Sequence, residues 1–153
     1  MQAERSLRSQ LAAQQLIADS ENAFLDITLP DNKGQMQSLS QYRGKVIVLD
    51  FSSTEMEQYV AYNFELRELY NQYHKQGLEI YSVGIERNLL AWEEATENLP
   101  WLTVRALDNE ITEVLTRYNV QSLPTLFLFD KEGNVQGRYT DFTALEADIN
   151  KYL

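Results

Sequence analysis

The feature that most constrains the fold is a short apolar run in the first third of the chain. Five of the six residues at positions 46–51 are apolar, which is typical of a central strand covered on both faces. Residues 54–57 read Thr-Glu-Met-Glu, and this pattern predicts a capping box at the start of a helix, with Thr54 as the cap and Glu57 reaching back. The helix itself is indicated by large residues at three- and four-residue steps, namely Tyr59, Tyr62, Leu66, Leu69, Tyr70 and Tyr73. A buried strand that runs into an amphipathic helix indicates an α/β domain.

The rest of the chain continues this alternation of strands and helices. Leu7, Leu11, Ala12 and Leu16 predict an amphipathic helix over residues 2–18. A hairpin is expected at residues 24–39, with its turn at 31–34. Further strands are predicted at 78–85, 103–107, 125–129 and 135–139, and further helices at 89–97, 111–118 and 142–152. We therefore expect one α/β domain over residues 23–153, preceded by a helix and lead-in over residues 1–22.

Composition and charge exclude several classes of protein. The chain has 153 residues, which favours a single domain, and 44% of them are hydrophobic, as in ordinary globular proteins. Its net charge of −10 argues against a nucleic-acid partner, because phosphate binding needs clustered Lys and Arg. No apolar run approaches the ~20 residues of a membrane span, and no signal peptide is visible. Because there is no cysteine, disulfides are excluded and the compartment stays open.

Several short motifs, in order, resemble a known family. Residues 39–45 read Leu-Ser-Gln-Tyr-Arg-Gly-Lys before the central strand, residues 123–125 read Leu-Pro-Thr, and residues 127–133 form a strand and turn. Together with the opening hairpin they resemble the thioredoxin-like fold in its TlpA/ResA-like or AhpC/TSA-like branch, over residues 23–153. The resemblance implies a central mixed sheet flanked by helices, a cis peptide bond at Leu123–Pro124, and a favoured extracytoplasmic, periplasmic location.

The chain departs from this family at the residues that carry its chemistry. The family usually has a Cys-x-x-Cys motif after the central strand, and alignment on Asp50 and Phe51 places Met56 and Tyr59 at the two cysteine positions. Thiol–disulfide exchange needs a thiolate and a second thiol to release the mixed disulfide. Methionine has no ionisable proton and tyrosine cannot resolve a disulfide. This chemistry is therefore excluded for a chain without cysteine, whatever the exact alignment.

The remaining candidate residues carry little sign of other chemistry. Asp50 matches the buried acid of many thioredoxins, but here we interpret it as a carboxylate that is hydrogen-bonded locally. Glu55 and Glu57 are expected to act at the helix start, where the helix dipole favours anions. We expect no metal site, because these two glutamates do not share a helical face and no histidine is near. His74, the only histidine, is interpreted as a surface residue, and no cofactor motif is present.

These observations favour a redox-inactive domain that binds a polypeptide partner or serves as a structural module through one groove. The expected site is the vestigial active-site groove, formed by Glu55, Met56, Tyr59, Leu123 and Pro124, with Met56, Tyr59 and Leu123 as an apolar shelf. The first alternative is an enzyme with non-thiol chemistry near Asp50 or Glu55. The second is a structural module that dimerises through the helix at residues 2–18. A third is that the chain is a module of a larger exported protein.

Overall fold

The computed structural model describes residues 25–153 as a five-stranded mixed sheet with helices on both faces and a separate two-stranded hairpin. The strands are β1 (Thr28–Pro30), β2 (Met36–Ser38), β3 (Val46–Ser52), β4 (Leu78–Gly84), β5 (Leu102–Arg105), β6 (Thr125–Phe129) and β7 (Val135–Tyr139). The helices are α1 (Tyr59–Tyr73), α2 (Leu89–Thr96), α3 (Ile111–Arg117) and α4 (Phe142–Tyr152), with 3₁₀ segments at Leu39–Tyr42 and His74–Gln76. The predicted thioredoxin-like α/β fold, with its hairpin and central mixed sheet, is confirmed for this part of the chain.

Strand β3 is the centre of the sheet, whose order is β5-β4-β3-β6-β7. It runs parallel to β4 and antiparallel to β6, and all seven of its residues are buried. Strand β5 is parallel to β4, whereas β7 is antiparallel to β6. A strand with neighbours on both edges and helices over both faces must be apolar on both sides. This explains the nearly continuous apolar run from which the fold was predicted.

Two hydrophobic cores lie on opposite faces of the sheet, because successive residues of β3 point to opposite sides. Val46 and Val48 face α1 and α4, where the core includes Leu66, Leu69, Leu145 and Ile149. Ile47, Leu49 and Phe51 face the hairpin and α3, where it includes Ile27, Leu29, Leu39, Val114 and Tyr118. Asp50 is two residues after Val48 and therefore points to the same face of the sheet, so its carboxyl group lies on the α1 side.

The predicted capping box at residues 54–57 is wrong. Helix α1 begins at Tyr59, and Gln58 before it makes no side-chain cap. The Thr54 hydroxyl donates a hydrogen bond to the Glu86 carboxylate at 2.7 Å, rather than accepting one from a helix amide. Residues 54–58 form tight turns, with the Met56 amide bonded to the Ser53 carbonyl and the Tyr59 amide bonded to the Met56 carbonyl. The Thr54 hydroxyl is therefore bound by the buried carboxylate of Glu86, which follows β4, and does not cap the helix.

The N-terminal predictions lie outside the described residues. These are the amphipathic helix at residues 2–18 and the boundary between residues 22 and 23. Within residues 25–153, no helix is long and apolar enough to cross a membrane.

Candidate functional site

Asp50 lies near the carboxyl end of β3, inside a network of hydroxyl groups. Its Oδ2 atom accepts hydrogen bonds from the Ser82 hydroxyl at 2.7 Å and the Ser52 hydroxyl at 3.1 Å. Its Oδ1 atom accepts one from the hydroxyl of Tyr62, one turn into α1. Ser82 is opposite Asp50 in the parallel β3–β4 register, and its own oxygen accepts a bond from the Trp101 indole at 3.0 Å. Asp50 is therefore held by β3, β4 and α1 together.

Burial dominates the electrostatics of Asp50, which is only 1% exposed. Removal from water raises the pKa of the Asp50 carboxyl to about 6, although hydrogen bonds from Tyr62, Ser82 and Ser52 act to lower it. Burial also raises the pKa of Tyr62 well above its ordinary value, with the Asp50 charge acting in the same direction. The Tyr62 hydroxyl thus satisfies a buried acid.

Glu86 is a second buried carboxylate, which the sequence analysis did not single out. It follows β4 and is 1% exposed. It accepts hydrogen bonds from the Thr54 amide and the Thr54 hydroxyl, both at 2.7 Å, and from the Ser53 hydroxyl at 3.4 Å. Burial raises the pKa of Glu86, and these hydrogen bonds oppose the rise. Glu86 thus fixes the turn that leads from β3 towards α1.

Three of the predicted groove residues line one cavity in front of this turn. Glu55, Met56 and Leu123 border a space of about 440 Å³. The remaining lining residues are Ser53, Ile85, Glu86, Arg87 and Ile111. We call this space the apolar concavity, because Met56, Ile85, Ile111 and Leu123 supply its walls while Glu55 and Arg87 are exposed at its rim. Pro124 follows Leu123 directly, and the peptide bond between them is cis, as the family resemblance implies.

Tyr59 lies in a different cavity, so the predicted shelf of Met56, Tyr59 and Leu123 is divided. Its neighbours include Asp50, Thr54 and Glu86, around a polar space of about 20 Å³. That volume holds roughly one water molecule. Burial, with the charges of Asp50 and Glu86, raises the pKa of Tyr59 to about 12. Tyr59 is the first residue of α1 because the helix starts later than predicted, and there it borders the buried acids.

The other candidates carry no recognisable chemistry. The ring of His74 stacks on Tyr70 with 4.4 Å between centroids, and its Nδ1 atom lies 3.6 Å from a carboxylate oxygen of Glu79. In the part of the chain that the structure describes, no group of three His, Cys, Asp or Glu residues is arranged to hold a metal ion. The chemically distinctive region is therefore the end of β3, where two buried carboxylates lie close to an apolar concavity that Glu86 also lines.

Comparison with known proteins gives matches over most of the chain. A family model described as "Thioredoxin-like" matches residues 44–135. The thiol-disulfide oxidoreductase ResA of Geobacillus kaustophilus is 38% identical over 131 residues, which are 84% of this chain and 72% of that protein. A solved thioredoxin-like protein from Bacteroides vulgatus superposes with a TM-score of 0.75 at 35% identity, covering 83% of this chain and 84% of that one. The thioredoxin domain of a thiol-disulfide oxidoreductase from the same organism gives a TM-score of 0.76 at 26% identity, covering 83% and 92%.

Proposed function

This chain belongs to the thioredoxin-like family, with thiol-disulfide oxidoreductases among its relatives, and from that premise we propose that it is a redox-inactive member that binds a polypeptide without covalent chemistry. The chain contains no cysteine, so it has no thiolate to attack a disulfide and no second thiol to complete the exchange. In an insulin-reduction assay the pure protein should not exceed a protein-free control. Dithiothreitol-dependent turnover by the pure protein would contradict this part of the proposal.

The observation that carries the binding role is the apolar concavity itself. Met56 and Leu123 are half-buried side chains that both line it, and Leu123 precedes the cis bond to Pro124. Binding sites of this kind combine apolar walls with a few polar groups that fix orientation, and here Glu55 and Arg87 provide such groups. Methionine adapts its shape to different apolar partners. These features support the binding of a segment with exposed apolar side chains.

A peptide-display selection on the immobilised full-length protein tests this proposal. Leu123→Asp places a charge in the wall of the concavity and should weaken binding of the selected peptides at least tenfold. Val60→Asp is the matched control, because Val60 is 82% exposed and does not line the concavity. Tyr59→Ala should have a smaller effect than Leu123→Asp, since its ring borders the neighbouring cavity. Equal affinities for the Leu123 and Val60 variants would place the binding surface elsewhere.

A second candidate is acid–base chemistry at Asp50, and one observation favours it. A carboxyl pKa of about 6 suits proton transfer near neutral pH. Against it, both Asp50 oxygens already accept hydrogen bonds, and the adjacent cavity has room for about one water molecule and no substrate. A panel of ester, peptide and phosphoester substrates, assayed with wild type and Asp50→Asn, separates the candidates. Turnover that disappears in Asp50→Asn would favour the enzyme.

A further inference from the structure

Among the described residues, three charged side chains line the apolar concavity, and two of them are exposed. Glu86 is buried, and its carboxylate already accepts hydrogen bonds from Thr54 and Ser53. Glu55 and Arg87, in contrast, are exposed at the rim. Neither forms an ion pair with another residue in the part of the chain that the structure describes. The concavity therefore offers a partner one negative and one positive side chain beside its apolar walls.

The backbone holds both rim charges at fixed places. Glu55 lies in the turn after β3, where its amide donates a hydrogen bond to the Ser53 hydroxyl at 3.0 Å. Arg87 follows β4 and directly precedes Asn88, whose side chain caps α2 by accepting a hydrogen bond from the Ala91 amide at 3.0 Å. Because β3 and β4 are parallel neighbours, both charges lie at the same edge of the sheet. Their positions are thus set by the domain before a partner binds, as a selective site requires.

The two rim charges call for opposite groups on the partner. Burial raises the pKa of Glu86, and the charge of Glu55 adds to this rise, so the two carboxylates repel each other. A basic group beside Glu55 relieves this repulsion, and the net charge of −10 attracts such a group at long range. The guanidinium of Arg87 is matched instead by a carboxylate, which accepts two parallel hydrogen bonds from it. The complementary chemistry is therefore a basic group at Glu55 and an acidic group at Arg87.

We propose that the bound polypeptide places an apolar side chain against Met56 and Leu123, a lysine or arginine at Glu55, and an aspartate or glutamate at Arg87. The inference rests on the proposed function, because it names the kind of polypeptide that the proposed site accepts. Exposed ion pairs contribute at most about fivefold each to affinity, so the apolar contact supplies most of it. The rim charges supply selectivity, because a segment bound the other way round brings like charges together.

Exchanging the rim charges in the full-length protein tests this assignment. The double variant Glu55→Lys, Arg87→Glu reverses both charges and leaves the net charge at −10, so attraction at long range is unchanged. The double variant Glu57→Lys, Lys75→Glu is the matched control, because both of its positions are exposed and neither lines the concavity. Peptide-display selection on the wild type and on the control should enrich the same arrangement of charges around an apolar residue. The exchanged chain should enrich the reversed arrangement.

Reversing one charge at a time measures each pair. Replacing the basic residue of a selected peptide by glutamate should weaken its binding to the wild type about three- to tenfold, and Glu55→Lys should restore the affinity to within about twofold. Replacing the acidic residue by lysine should be compensated by Arg87→Glu in the same way. Both effects should shrink as salt is added, because exposed charges are screened. Enrichment of one arrangement on both the wild type and the exchanged chain would overturn the inference, as would equal compensation by Glu57→Lys.

The two proposals fail in different ways. If Leu123→Asp weakens peptide binding but the charge arrangement does not reverse on the exchanged chain, the polypeptide-binding function stands and the selection by rim charges does not. If the arrangement reverses while the Leu123→Asp and Val60→Asp variants bind equally well, the rim contacts the peptide and the apolar concavity does not, which overturns the apolar part of both proposals. If no peptide is enriched on any of these chains, both proposals fail.

Discussion

Replacing Asp50 by asparagine should change how the stability of this protein depends on pH. The ordinary aspartate pKa is 3.8, whereas burial raises that of Asp50 in the folded protein to about 6. The folded state therefore holds this proton more tightly than the unfolded state does. The stabilisation from protonated Asp50 is fully present below pH 3.8 and is lost as the pH rises through about 6.

The magnitude follows from the difference between the two pKa values. One pKa unit corresponds to about 1.4 kcal/mol, so a shift of about two units makes the free energy of unfolding about 3 kcal/mol smaller at neutral pH than at low pH. Asparagine has nearly the same shape but carries no charge, so the variant does not lose this free energy of unfolding as the pH rises. One hydrogen bond from Tyr62, Ser82 or Ser52 must reverse or break, at about 1 kcal/mol. We expect Asp50→Asn to be about 2 kcal/mol more stable than the wild type near pH 7 and slightly less stable near pH 4.

Urea unfolding between about pH 4 and pH 7 measures this difference, with the fluorescence of the buried Trp92 and Trp101 as the signal. Asp31→Asn is a control of opposite sign. Although partial burial raises the pKa of Asp31, hydrogen bonds from Gln35, Gln37 and Lys33 lower it overall, so this variant should lose more stability at neutral than at acid pH. If the offset between Asp50→Asn and the wild type is the same at every pH, Asp50 does not titrate in this range and the reasoning is refuted.

Three further substitutions test local features by the same unfolding measurement. Thr54→Val removes the hydroxyl bonded to Glu86 and should lower the free energy of unfolding by about 1–3 kcal/mol. Thr112→Val, at an exposed position, is the control and should change the free energy of unfolding by less than about 0.5 kcal/mol. If both variants lose the same stability, the hydrogen bond from Thr54 to Glu86 does not stabilise the turn. Gly77→Ala should be destabilising by about 1–2 kcal/mol, because Gly77 has a φ of +110°, which side chains disfavour. An added methyl group would meet no atom within 4 Å, so the loss would come from the backbone alone; a neutral effect would contradict this. Asp141→Ala removes the N-cap of α4 and should destabilise by about 1 kcal/mol, whereas unchanged stability would mean that the cap contributes little.

The order of elements could be predicted from the sequence, but the start of α1 could not. The short apolar run of β3 is typical of a buried strand, and the three- and four-residue steps between the large residues of α1 are typical of an amphipathic helix. The Thr54 hydroxyl, in contrast, has two possible partners. One is a helix amide close in sequence, and the other is Glu86, 32 residues away. Only the packing of β4 beside β3 brings the second partner near, and a charged, buried acceptor makes the stronger hydrogen bond.

The site was only partly accessible to sequence reasoning for the same physical reason. Asp50 was identified, but its partners depend on the strand register that places Ser82 opposite it and on the helix position of Tyr62. Glu86 follows a predicted strand next to the central one, and neighbouring parallel strands end at the same edge of a sheet. The position of Glu86 directly after this predicted strand was the sequence signal that could have identified it. An isolated glutamate after a strand is otherwise indistinguishable from a solvated surface charge.

Under the proposed polypeptide-binding function, the two buried carboxylates restrict the chemistry of the partner that the concavity would accept. Asp50 borders the neighbouring small cavity and Glu86 lines the concavity, but both already accept hydrogen bonds from within the domain, so they offer little to a ligand. The charges that a ligand can meet are those at the rim, where exposed ion pairs contribute little affinity but do set orientation. Affinity must then come from burying apolar area against Met56 and Leu123. A polypeptide segment with leucines on one helix face and arginines beside them would meet both requirements, whereas a purely charged ligand would meet only that of orientation.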